Sequence, residues 1–543
     1  MQRWRINLIL FILIVFGVAL IGRLFFIQVI KGDFYKALAQ GLYNTDDEVL
    51  MERGEIFFKN GEPLAVNMEW PLAFSSPREV EAKEETAEKL AAALSLDKNL
   101  LLEKLNKDNL YELIKKKLTE EEIRKINELD LKGIYLGKEL GRYYPQESFG
   151  SQLIGFLDAN KTGQYGIEGY YDEILQGSRA EKGSNLILTV DYPIQFMAEK
   201  LLAEAKDNLK IEGGEIIVMD PSSGEILALA NFPNFDPNQY SGVKDPDIFQ
   251  DSVTQKIFEP GSVFKPITMA AALEEGAITP QTTYRDPGTI NIGGWPISNY
   301  DNRKYPGDIT MTQVLEKSIN TGAVFAEQQL GNNDLFLGYI DQFGFFKPTG
   351  IDIQEIYSGN SELKKGYEIN FATASFGQGI EMTPIQLIRA YAAIANGGKM
   401  VKPYIVKKIV QGEDVLETEP KIEEETVISS KTASQLAAML ISVVENGYAK
   451  SAKVPGYYIA GKTGTAQISY AALNIDKRGY SDKTWQSFMG FAPAFDPKFL
   501  ILVKLDNPET KTAEYSAVPI FHDLAKYIID YYQIPPDYVE SNL

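Results

Sequence analysis

The 543-residue chain has no cysteine and a single histidine, His522. Without cysteine there is no disulfide, no thiol nucleophile and no thiolate metal site. One histidine rules out zinc sites built from several imidazoles. It also leaves a Ser-His-Asp triad only His522, which lies near the C-terminus with no motif around it. A serine hydrolase or acyltransferase of this composition therefore needs another base, and lysine is the first candidate. Positive charge is in deficit too: 54 Lys and Arg against 74 Asp and Glu, a net charge of −20. That argues against a nucleic-acid partner, whose phosphates require a basic face, and is read as solubility. What remains is globular in character, 44 % apolar with 29 tyrosines, and long enough for two or three domains.

Long apolar runs are scarce, and the one present is N-terminal. Ile6–Gly22 reads INLILFILIVFGVALIG, without a charge, at the lower limit for spanning a bilayer. Arg3 and Arg5 precede it, so the positive-inside rule puts residues 1–5 in the cytoplasm and the rest outside. A cleaved signal peptide is the competing reading, with Gly17 and Ala19 as its small-residue site. The run is longer than a signal core, however, and continues as LFFIQVI. A retained single-pass anchor over 6–24 in the cytoplasmic membrane is expected, with extracytoplasmic chemistry and no ATP.

Composition shifts divide the remainder. Arg53–Val66 reads as strands around an Asn60-Gly61 turn. From Glu79 to Leu140 a Lys/Glu/Leu-rich pattern, including KLAAALSLDKNLLLEKLNKDNLYELIKKKL, predicts amphipathic helices with a solvated face and no chemistry. Pro145, Gly150 and Gly155 interrupt it, and Gly163–Gly177 leads into the main domain. There Leu186–Asp191 is strand-like, a helix follows, and Gly213–Ala230 predicts two strands around Pro-Ser-Ser-Gly. Helices are expected around 262–275, 311–330, 383–396 and 431–446. Three more strands follow in YYIAGKTGTAQIS, SFMGFAPA and FLILVKLDN, and a last helix around 516–532. Strands at both ends with helices between them predict an α/β-type sheet flanked by a helical block.

The segment EPGSVFKP sets Ser262 and Lys265 three residues apart. Ser-x-x-Lys alone is weak, since Ser95/Lys98, Ser241/Lys244 and Ser361/Lys364 share it. Context separates them. Positions i and i+3 share a helix face, which brings an amine to a hydroxyl. Pro266 confines the pair to the start of a helix. There free N–H groups and the positive dipole end favour an anionic serine oxygen, and the Ser262 amide can donate to an oxyanion. A lysine base must be neutral, against its ordinary pKa of about 10.4, and burial or a second cation lowers that value. Lys462 in AGKTGTAQ is the candidate second cation. On a strand, Thr463 and Thr465 face away from Lys462, and their hydroxyls make a plausible carboxylate seat, with Gly464 leaving room for a ligand backbone. A second Lys-Thr-Gly, at 161–163, lies in a turn-rich stretch and reads as a loop.

Ser262-x-x-Lys265, Ser318-x-Asn320 and Lys462-Thr463-Gly464 together resemble the three motifs of penicillin-binding proteins and serine β-lactamases, with spacings that suit the transpeptidases. Ser358-Gly359-Asn360 is a rival second motif, but it lies in a loop composition, whereas Ser318 lies in the helical MTQVLEKSINTGAVFAEQQL. RGEIFFKNGEPLA, GIEGYYDEILQG, VMDPSSGEILALANFPNFDPN, GQGIEMTPIQLIRAYAAIANGG and VPGYYIAGKTGTAQ are similar to class B penicillin-binding proteins, the membrane-anchored monofunctional peptidoglycan D,D-transpeptidases. FEPGSVFKP with SFMGFAPAFDPKFLILVKLDNP is closer to the division branch than to the elongation branch. Phe57-Phe58 departs from the acidic-basic pair usual before Asn-Gly.

The resemblance implies an α/β (α+β) transpeptidase-like fold with a central antiparallel sheet and a helical block over 181–543, preceded by an elongated pedestal over 25–180. It implies that Ser262 attacks the penultimate D-Ala carbonyl of a stem peptide and that Lys265 takes its proton. Ser318, near Lys462, would relay a proton to the leaving amine, and Asn320 would hold the substrate amide and Lys265. Thr463 and Thr465 would bind the terminal carboxylate, with the Thr465 amide as second oxyanion donor. No cofactor or metal is called for. Implied partners are D-Ala-D-Ala stem peptides, β-lactams as inhibitors, the membrane, a membrane glycan polymerase and divisome proteins. Alternatives are an elongation transpeptidase, a β-lactamase or D,D-carboxypeptidase that transfers to water, and a β-lactam sensor.

Overall fold

The strand Phe499–Asp506, FLILVKLD, is buried from Phe499 to Leu505, as a strand covered on both faces must be. It is the middle of a five-stranded antiparallel sheet in this computed structural model, which describes residues 3–32, 34–37, 39, 52–177 and 181–538. The spatial order is Ala460–Ser469, Tyr480–Ala492, Phe499–Asp506, Gly213–Met219, Ile226–Phe232. The last two form the expected pair, with Ile217 opposite Leu229. Chain ends thus meet mid-sheet, with Leu502 opposite Ile217.

Helices Tyr192–Leu209 and Ala517–Tyr532 pack together on one face, where a Cβ on Gly490 would meet the Phe521 ring at 2.9 Å. The other face carries the helical block. Its centre is Pro384–Ala395, buried from Pro384 to Ile394 and started by a Thr383/Gln386 capping box. Ser430–Asn446 lies beside it, and Lys265–Glu274 packs against Ser430–Asn446. The fold is the α/β transpeptidase arrangement the resemblance implies.

The chain divides into two compact units, and chain order is not the rule of division. The catalytic sheet's unit takes 54–66, 144–175 and 183–543. In it Ile56 pairs with Ala65 across the expected Asn60-Gly61 turn, and Phe58, of the unusual Phe-Phe pair, is buried against Phe149 and Tyr192.

The other unit takes 1–53, 67–143 and 176–182. Its core of Val80, Leu90, Leu94, Leu101, Leu105, Ile114 and Ile126 lies between three helices and a small sheet. Here the sequence reading needs correction. Helices form at Lys83–Leu94, Lys98–Leu105 and Glu120–Leu129, but Glu112–Lys115 and Ile134–Tyr143 are strands. Asn106–Asn109 breaks the helical run, and pairing of Leu113 with Phe74 then outweighs helix propensity. Arg3–Phe25 is one helix with no buried residue; with the π-turn to Ile30 it is long and apolar enough to cross a membrane.

Candidate active site

Ser262 sits in a 3₁₀ turn, Gly261–Phe264, that runs directly into the helix beginning at Lys265. Pro266 is in the first turn, where its missing N–H removes no helical bond. Lys265 is fully buried. Its Nζ lies 3.0 Å from Ser262 Oγ, 2.6 Å from the Ser318 carbonyl oxygen, 3.2 Å from Ser318 Oγ and 2.9 Å from Asn320 Oδ1. Asn320 Nδ2 donates to the Ser298 carbonyl at 3.0 Å, which fixes the amide with Oδ1 toward the lysine.

Ser318 is not inside a helix, contrary to the sequence reading. Met311–Glu316 ends, Ser318 takes a left-handed conformation (φ +53), and a new helix starts at Asn320. The reason is chemical as well as steric. In a continuous helix the Ser318 carbonyl would accept an N–H one turn on, whereas here it is free to face Lys265.

Lys462, also fully buried, comes from the edge strand Ala460–Ser469. Its Nζ lies 3.0 Å from Ser318 Oγ, 2.9 Å from the Thr463 carbonyl and 3.3 Å from Thr463 Oγ1. Thr465 Oγ1 accepts the Ala513 N–H at 3.2 Å. Gly464 has a packing role that the sequence reading did not include. A Cβ there would fall 2.5 Å from Ser487 Oγ and 3.1 Å from both the Pro260 carbonyl and Val263. The missing side chain admits the nucleophile's own turn.

The structure thus brings together Ser262, Lys265, Ser318, Asn320 and Lys462, with Thr463, Gly464 and Thr465 on the adjoining strand. The rival motifs stay apart. Ser95 ends a helix of the other unit, and Lys98 pairs with Glu88. Lys364 stacks on Phe346; Ser358 and Asn360 bond Glu381. The sequence reading missed three supports. The hairpin Thr289–Ile292/Trp295–Ser298 carries Ser298; INIGGWPIS, a Gly-Gly turn between alternating apolar residues, was its available signal. Gly377 has its carbonyl on the Gly261 N–H at 2.9 Å, and buried Tyr391 donates to the Val263 carbonyl at 2.5 Å.

Residues 214–526 match the penicillin binding protein transpeptidase domain, and 49–186 the penicillin-binding protein dimerisation domain. The chain belongs to the class B penicillin-binding proteins. It is a peptidoglycan D,D-transpeptidase. Stage V sporulation protein D of Bacillus subtilis is 34 % identical over 90 % of this chain and 79 % of its own length. The peptidoglycan D,D-transpeptidase FtsI of Escherichia coli K12 is 28 % identical over 98 % of this chain and 93 % of that one, in line with the division-branch resemblance. Penicillin binding protein 3 of Mycobacterium tuberculosis, solved in complex with aztreonam, is similar at a TM-score of 0.70 and 27 % identity, covering 90 % of this chain and 98 % of that one.

Within this penicillin-binding protein the two amines are electrostatically distinct. Burial, then the Lys462 charge, pushes Lys265 well below its ordinary value. Burial lowers Lys462 to about 7. Lys462 faces three oxygens, of which only the Thr463 carbonyl is acceptor-only. Lys265 faces two groups that can only accept, the Ser318 carbonyl and Asn320 Oδ1. They match the two N–H groups of a neutral amine and leave its lone pair to the hydroxyls, of which Ser262 Oγ at 3.0 Å is nearer than Ser318 Oγ at 3.2 Å.

Proposed function

We propose that this transpeptidase cross-links stem peptides through an acyl-enzyme on Ser262, with Lys265 as general base. The observation that carries it is the Lys265 environment: two obligate acceptors for a neutral amine, with the Ser262 hydroxyl 3.0 Å and the Ser318 hydroxyl 3.2 Å away. Lys265 takes the Ser262 proton as Oγ attacks the penultimate D-Ala carbonyl, while the Ser262 and Thr465 amides receive the oxyanion. Ser318, bonded between both lysines, passes a proton to the nitrogen of the departing D-Ala. Asn320 holds the donor's amide, and Thr463 and Thr465 its carboxylate. An acceptor amine then attacks the ester and restores the Ser262 hydroxyl. One amide replaces another, so the exchange needs no external energy source.

β-Lactams would acylate the same serine, as their complexes with penicillin binding protein 3 indicate for that relative. The N-terminal helix supports a single-pass anchor with the catalytic domain outside the cytoplasmic membrane. The FtsI relatives support work at division, a role that would place the enzyme beside a membrane glycan polymerase and divisome proteins.

Fluorescent penicillin should label the wild type on the peptide containing Ser262 and leave Ser262→Ala unlabelled. With a D-Ala-D-Ala donor and an amine acceptor, release of D-Ala should accompany cross-linked product. An adduct at Ser95, Ser241 or Ser361 would overturn the nucleophile. Hydrolysed donor without cross-link would make the enzyme a carboxypeptidase.

A further inference from the structure

Behind the lysine pocket lies a second polar assembly that no motif marks. Asp286 is buried and its carboxylate accepts from every side. Oδ1 takes Thr321 Oγ1–H at 2.7 Å, the Gly288 N–H at 2.9 Å and Asn299 Nδ2 at 3.0 Å. Oδ2 takes the Tyr305 N–H at 2.8 Å and Asn299 Nδ2 at 3.0 Å. Burial pushes the carboxyl up, but the donors from Thr321, Gly288, Tyr305 and Asn299 outweigh it and hold the group below its ordinary value. Asp286 is an anion.

The assembly sits at the start of the helix Asn320–Gln329. Its N-cap residue, Ile319, offers no side-chain cap, so the first N–H groups need partners from elsewhere. Asn299 supplies one: its Oδ1 accepts the Thr321 N–H at 3.1 Å. The neighbouring Ser298 carbonyl accepts Asn320 Nδ2 at 3.0 Å. Two consecutive loop residues, 298 and 299, therefore grip two consecutive helix residues, 320 and 321. Asp286 bonds both Asn299 and Thr321 and closes the triangle.

We propose that Asp286 is a positioning residue that, through Asn299 and Thr321, sets the Asn320 amide so that its Oδ1 takes one N–H of Lys265 and leaves the lone pair on Ser262. Asp286 touches neither substrate nor the reacting atoms. Its effect on the reaction passes through Asn320 alone. A neutral asparagine in its place presents an NH₂ to the Tyr305 and Asn299 donors, so the clamp loosens without loss of volume. The inference rests on Lys265 as the base.

The test is a double-mutant cycle on the full chain, read as the acylation rate by fluorescent penicillin per acylable molecule, across pH. Asp286→Asn should slow acylation about tenfold, the weight of one hydrogen bond to a charged group. Asn320→Ala should slow it more, and the double variant should match Asn320→Ala alone. The ascending limb should move to lower pH in all three by a similar amount, because withdrawing a carbonyl acceptor disfavours the ammonium. A purely structural defect would lower the acylable fraction and leave the limb in place. Thr321→Val retains the Asp286 charge, so a limb shift there is not a through-space charge effect; it also replaces Asp286→Asn in the cycle if that variant does not fold. Asp308→Asn, which breaks only the exposed pair with Arg285, is the control. Losses that add in the double variant, or an unmoved limb, would overturn the proposal while leaving the base assignment intact. A wild-type profile with no lysine limb would overturn both.

Discussion

Lys462→Met keeps an unbranched side chain in its buried strand position and removes the cation beside Lys265. Both amines lie within hydrogen-bond distance of Ser318 Oγ, at 3.0 and 3.2 Å, so they are at most about 6 Å apart. At that separation and an effective dielectric of about 20, two unit charges repel by roughly 3 kcal/mol, or about two pKa units on Lys265. Lys265 acts as the neutral amine, so activity rises with pH through its depressed pKa. Without the neighbouring charge that pKa climbs back, and the ascending limb should move up by about two pH units. At a pH on the wild-type limb the rate should then fall about a hundredfold. Lys462 itself, at about 7, is charged below that pH and neutral above it. Lys265 stays neutral above that pH, so the wild-type profile should rise to a plateau, and Lys462→Met should reach its own plateau only at higher pH. Rapid-quench acylation with fluorescent penicillin over a pH series, normalised to the acylable fraction, measures the limb and the plateau. A lower plateau alone reports lost contacts to Ser318 and Thr463. An ascending limb that stays in place refutes Lys462 as a source of the Lys265 shift.

Other outcomes follow from the same geometry. Lys265→Arg keeps charge but cannot deprotonate in this range, so acylation should be lost, whereas His522→Gln should acylate at the wild-type rate; an active arginine variant on the labelling gel would contradict the lysine base. Gly377→Ala places a Cβ 2.1 Å from the Gly261 carbonyl at φ +82, a backbone clash no rotamer relieves. It should lower stability by about 2 kcal/mol or more and slow acylation, checked by denaturant melts and labelling. Removing residues 1–24 should yield a protein that stays in the supernatant and still acylates, because the catalytic sheet and helical block form their own core; loss of labelling on truncation would count against that independence.

What could be read from sequence was whatever local chemistry dictates. The absence of cysteine and the single His522 narrowed the base to lysine before any geometry was known. Pro266 placed Ser262 and Lys265 at a helix start because a proline ring is tolerated only there. The apolar FLILVKLD announced a strand. Misreadings arose where a distant partner outweighed local preference. Leu113 is in a helix-rich sequence, yet pairs with Phe74 as a strand. Ser318 is flanked by good helix formers, yet breaks the helix so that its carbonyl reaches an amine 53 residues away in sequence.

By itself, then, the sequence determined the inventory: one anchor-like helix, a serine and lysine on one helical turn, a second lysine on a strand, and their order along the chain. Only the tertiary structure decided which lysine carries the charge. That depends on the burial of both amines and on the Lys462 charge beside Lys265, brought together from segments remote in the chain. It likewise decided what Gly464 makes room for and that Asp286 stands behind Asn320. A hydrogen bond across the fold leaves no periodicity or spacing in the sequence, because its strength depends on distance and burial and not on separation along the chain.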